Sequence, residues 1–162
     1  MEKNLAACVK DIATEIREHF HDGKYNSFPP TLWVFGIKDH QDETMTFIID
    51  APFNEHDEKH TTIEAIGAGL RKHGFEPLMA VLATEAWQAI YSKDEDRTVQ
   101  PRDHPNKREI ISVAGLSLNF EGAVLLMLPV SRKDNDIIVL GEPEELDADT
   151  VKLPLLATLW KG

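Results

Sequence analysis

Cysteine is nearly absent from this 162-residue chain. A single Cys8 excludes an internal disulfide and any zinc site built from several thiolates, and it suits a reducing compartment. Long apolar runs are missing as well. The first 20 residues are interrupted by Lys10, Asp11, Glu15, Arg17 and Glu18. A secretory leader needs an unbroken apolar stretch, and a membrane helix needs about 20 apolar residues. A cytoplasmic protein without membrane association is therefore expected. Basic charge is the third scarcity: 17 Lys and Arg stand against 28 Asp and Glu, a formal net charge of −11. Such a surface favours solubility and repels phosphate backbones, which makes nucleic acid an unfavourable partner.

No catalytic or cofactor signature is intact. The stretch Gly67–Lys72 (GAGLRK) has Lys72 where a dinucleotide loop requires its third glycine, and it lies within a predicted helix rather than opening one. Gly67 and Gly69 are expected instead to let that helix approach the sheet closely. No serine occupies a G-x-S-x-G nucleophile elbow. His56 and His60 are the weak metal candidates, because four-residue spacing puts both on one helical face. However, Asp57 stands where H-E-x-x-H needs glutamate, and Lys59 stands at the glutamate position of the inverted motif. His19 and His21 straddle a helix end and diverge. Neither a metal nor another cofactor is expected.

What is present is a globular composition, 42% apolar and 28% charged, in a length that suits one domain with a substantial core. Leu5, Cys8, Ile12, Ile16 and Phe20 recur at helical spacing, so residues 4–20 are predicted to form an amphipathic helix that His21, Asp22 and Gly23 end. Pro29 and Pro30 then force extended chain. Strands are predicted over 31–38 and 44–50, with Met45, Phe47 and Ile49 on one face and Thr44, Thr46 and Ile48 on the other. A second helix is placed from Thr61, where Thr61 and Glu64 have capping-box spacing, to a stop at Gly74. Four strands follow, near 77–91, 108–116, 120–131 and 136–140. The order α-β-β-α-β-β-β-β lacks the alternation of a doubly wound fold. The expected fold is α+β: a mainly antiparallel sheet of about six strands with two helices packed on one face. Residues 1–140 would form the domain. Residues 141–162 would be an acidic linker, to about 150, and an apolar segment docking on the core or on a neighbouring subunit.

The run Leu78–Tyr91 carries the one chemical question, because Glu85 sits inside it. A carboxylate there must face water, find a partner or keep its proton. On a strand, Glu85 shares a face with Met79, Val81, Ala83, Trp87 and Tyr91. A catalytic reading would join Glu85 to His104 or Arg108 beneath the 92–107 loop, with Trp87, Tyr91 and Arg102 as ligand contacts. The alternative is an ion pair to the returning Arg102–Arg108 segment, and it is the better expectation because perturbed carboxylates are often structural. The functional expectation that follows is a non-catalytic interaction domain that self-associates or binds another protein. A small enzyme using Glu85, or an acidic mimic of nucleic acid, are the alternatives.

Overall fold

The computed structural model describes residues 4–39, 44–50, 58–89, 94–95, 98–118, 122–146 and 153–161. Helix α1 (Leu5–Phe20) opens on Asn4, whose side chain accepts the Ala7 amide at 2.8 Å and so satisfies one free donor of the first turn. Its apolar stripe buries Cys8, Val9, Ile12, Ala13, Ile16 and Phe20. Strands β1 (Thr31–Lys38) and β2 (Thr44–Asp50) pair in unbroken antiparallel register, Thr31 with Asp50 through Ile37 with Thr44. Helix α2 spans Glu58–Lys72, and Gly74 takes the left-handed φ of 81° that lets the chain reverse into the next strand. Thr61 therefore lies inside α2 rather than capping it. Three residues of helix precede the capping-box spacing.

Strand β3 (Phe75–Ala89) is followed by β4 (Lys107–Ser117), β5 (Ala123–Arg132), β6 (Ile138–Leu140) and the two-residue β7 (Glu144–Glu145). The sheet order is β2-β1-β3-β4-β5-β6, all antiparallel, and β7 also runs along β5. Pro77 lies inside the central strand β3, where a missing amide would normally break the ladder. It is accommodated beside a register shift: Gly36 pairs with Pro77 and Phe35 with Met79, so Leu78 is the extra residue of a bulge. The α+β class, the antiparallel sheet of six main strands and the order of elements through β6 are those the sequence predicts, to which the structure adds β7 and a third, short helix.

The placement of the helices differs from one-face packing. Val81 and Ala83 belong to the cluster around α1, with Trp33, Ile111, Val113, Leu126 and Leu128. Ala80 and Leu82 belong to the cluster around Ile63 of α2, with Leu32, Val34, Ala114 and Leu116. Successive residues of a strand point to opposite faces, so α1 and α2 cover opposite sides of the sheet. The reason is in β3 itself: Ala80–Ala83 are all buried, which one covered face could not achieve.

The C-terminal segment docks on the core of its own chain. A short helix α3 (Pro154–Ala157) and a 3-10 turn (Thr158–Trp160) lie against α2, with Leu156 and Leu159 buried. Arg71 donates to the Leu159 and Lys161 carbonyls at 2.7 and 3.1 Å, and the Trp160 indole donates to Pro77 O at 2.9 Å. Gly67 permits this contact, since a Cβ there would lie 1.9 Å from Leu159 O, whereas a Cβ on Gly69 would meet nothing within 4 Å. The close approach is thus to the C-terminal turn, and only one of the two glycines makes it. Gly69→Ala is expected to stabilise the protein by up to about 1 kcal/mol through helix propensity. Gly67→Ala is expected to destabilise it by about 1–3 kcal/mol through overpacking. Urea unfolding of the two variants checks the contrast.

Candidate functional site

Beyond Ala83, none of the side chains of strand β3 is fully buried, and Glu85 and Trp87 are exposed. Cross-strand register places Glu85 opposite Ile111, Trp87 opposite Glu109, and Gln88 opposite Arg108. Ile111 belongs to the α1-side core, so Glu85, Trp87 and Glu109 project on that side. Arg132 joins them from the end of β5, two residues beyond Val130, which packs against the same core.

Arg132 is the centre of this group. Its guanidinium binds Glu109 through three hydrogen bonds of 2.8–3.3 Å, approaches Glu85 at 3.8 Å, and donates to the Asn26 and Asp136 carbonyls at 2.9 and 2.8 Å. The fixed planar fork of arginine suits such a bidentate task. Partial burial raises the pKa of Glu85, although 38% of its side chain remains open. A hydrogen bond from the Phe28 backbone and the Arg132 charge oppose the rise, and Glu109 adds to it. Glu85 thus has an ion-pair partner as expected, but it comes from β5 and not from the Arg102–Arg108 segment. Trp87 is 42% exposed, with the Lys107 ammonium 4.8 Å from its ring centroid.

Arg108 leaves the strand on the opposite face. It forms a two-pronged pair with Glu144 at 2.8 and 2.9 Å and donates to Gln88 at 2.6 Å. The pair holds the Glu144 carboxyl below the usual range. Glu144 and Glu145 of β7 run beside β5, so part of the predicted acidic linker is sheet. His104 is the buried polar residue of the connection. Its Nδ1 accepts the Asn106 amide at 2.9 Å and its Nε2 bonds Glu95, an arrangement that pins the described part of this loop. Arg102 is exposed beside Asp103, and its carbonyl accepts from Lys107 Nζ. The groups bound to Glu85, Arg108 and His104 are therefore three different sets, and Glu85 and Arg108 are divided by the sheet. His60 lies exposed on α2, while His56 and Tyr91 fall outside the described residues.

Two further surfaces lie apart from the catalytic and ligand-contact candidates read from the sequence. An open groove of about 810 Å³ lies between the end of α1 and β6, lined by Arg17, Phe20, His21, Lys133, Val139 and Leu140. The second is the β2 edge, where Met45, Phe47 and Ile48 are 40%, 36% and 66% exposed. The signal for it was the apolar residue on the second face of 44–50. Among the described residues, no helix is long and apolar enough to cross a membrane. Comparison with protein-family models, curated proteins and solved structures gives no match.

A carboxyl whose pKa is raised on folding binds protons more tightly when folded, so ionising it removes stability as pH rises through its titration. Glu85→Gln is accordingly expected to unfold at pH 7 at a temperature no lower than the parent, with any difference closing as pH falls below the carboxylate range. Arg132→Ala should cost about 1–2 kcal/mol, because it strands two neighbouring carboxylates and two carbonyls. Thermal melts across pH 3–8, from about one unit below to about four units above ordinary carboxylate values, and urea titration at pH 7 check both.

Proposed function

We propose that the protein is a non-catalytic interaction domain that self-associates, and that the β2 edge is its contact surface. One observation carries the reading: β2 is a seven-residue edge strand with exposed Met45, Phe47 and Ile48. Among the described residues it pairs only with β1. Edge strands are usually blunted by lysine, proline or a bulge. β2 contains no lysine, arginine or proline, and its register with β1 is unbroken.

The apolar C-terminal segment, the other feature that suggested association, is consumed within its own chain, so association falls to the sheet edge. The polar end of β3 supports the enzyme alternative less well, because Glu85, His104 and Arg108 are each engaged by separate structural partners. The mimic alternative needs a face of free carboxylates, yet Glu85, Glu109, Glu142 and Glu144 are each paired with an arginine.

Sedimentation over a wide concentration range is expected to give a mass that rises toward twice that of one chain. Ile48→Lys should weaken this association at least about tenfold, the effect of losing roughly one buried apolar side chain. Because Ile48 is so exposed in the single chain, its thermal unfolding as a monomer should be unchanged. A wild-type chain that stays monomeric throughout would remove the reading.

A further inference from the structure

The two edges of the sheet are not equivalent. The outer side of β5 is divided between β6 and β7, of three and two residues. The Ile138 amide of β6 is already taken by the Tyr25 carbonyl at 2.8 Å. That edge offers too little free backbone to receive a seven-residue strand. Head-to-tail addition of β2 to β6, which would build open fibres, is therefore disfavoured. Among the described strands, the one that β2 can pair with at full length is another β2.

We propose that two copies join through β2 in antiparallel register about Phe47, so that their sheets become continuous across a two-fold axis. This rests on the self-association proposed above and names its geometry. An antiparallel register centred on Phe47 is the one that pairs all seven residues. On the α2 side it sets Met45 against Ile49 of the second copy and Phe47 against Phe47, so every cross-strand pair there is apolar. On the other side Thr46 meets Ile48, and Thr44 meets Asp50. The strand has one charge, Asp50, and this register puts a threonine rather than a second aspartate opposite it. Like charges directly opposite would oppose pairing, so the strand matches itself in polarity on the α2 side and sets no charge against its like. Each copy also keeps the edge-on packing of Phe47 against Phe75, at 4.9 Å between centroids and 87° between planes, which holds Phe47 in place before association.

Disulfide mapping in the full chain tests the register. Cys8 is 2% exposed, so an introduced cysteine is the reactive one. In the proposed pairing the two Phe47 positions are directly opposite, with Cα atoms about 4.5–5.5 Å apart, within the range a disulfide spans. The two Met45 positions are four residues out of register, about 13 Å apart. Under oxidised glutathione, Phe47→Cys is expected to form a covalent dimer at least about tenfold faster than Met45→Cys, the separation being beyond disulfide reach. Because Phe47→Cys removes a packed ring, the double variant M45C/I49C is the second test: it keeps Phe47 and should cross-link through two symmetric bonds. Equal and slow cross-linking of all three, with the parent still dimeric in sedimentation, would overturn the β2 register and leave association through another surface. A monomeric parent would remove both proposals.

Discussion

Strand β3 has to be buried on both faces and at the same time outrun the helices that bury it. Ala80, Val81, Leu82 and Ala83 are each no more than 5% exposed, which requires a layer of structure on either side of the sheet. Helix α1 supplies one layer, and α2 with the C-terminal turn supplies the other. The 16 residues of α1 reach about 24 Å at 1.5 Å per residue. The 15 residues of β3 reach about 50 Å at 3.3 Å per residue. One end of the strand therefore projects from the three-layer core, and the residues there cannot depend on helix burial.

Arginines replace helices at that end. Arg132 fastens β5 to β4 and β3 on the α1 side, and it also holds the chain at Asn26 and Asp136. Arg108 fastens β4 to β7 on the other side. Isolated surface pairs contribute about 0–1 kcal/mol, but these are multidentate and fix strand ends that carry little apolar packing. Their effect is positional more than energetic: they set where the projecting end of the sheet lies. The raised pKa of Glu85 follows from the same compromise. Its carboxylate is partly desolvated by the core edge and shares one arginine with a better-placed carboxylate.

Much of this was legible in the sequence, and what was not has identifiable causes. The stripe of α1 and the alternation in 44–50 depend on local spacing alone, so both were readable. Thr61 and Glu64 gave a correct helix with a late start, because capping-box spacing also occurs by chance inside helices. The opposite placement of α1 and α2 was hidden in the run 78–83, where continuous apolar sequence fits a doubly buried strand and a leaky one-sided strand equally well. The partner of Glu85 was hidden for a different reason. Arg108 is nearer in sequence, but strand parity sends it to the other face, while Arg132 reaches Glu85 only through the β4–β5 register. Parity could have ruled Arg108 out once the pairing of Glu85 with Ile111 was known; nothing local could have supplied that pairing.

The two sheet edges bear opposite marks of the same hazard. At β5 the outer edge is cut into short strands, crossed by the 24–27 segment at Ile138, and lined with Glu144 and Glu145. These are devices that stop strands from adding. Among the described residues none of them is present at β2 over 44–49, although the chain as a whole carries a net charge of −11. Long-range repulsion between two such acidic chains is screened within about 8 Å at physiological salt. Apolar pairing acts only at contact. An acidic surface of this kind opposes indiscriminate association, whereas the β2 strip carries no charge over 44–49. For the β2 pairing proposed above, that division of range would be the source of selectivity: surfaces that cannot bring an uncharged strand into register would meet mostly like charge.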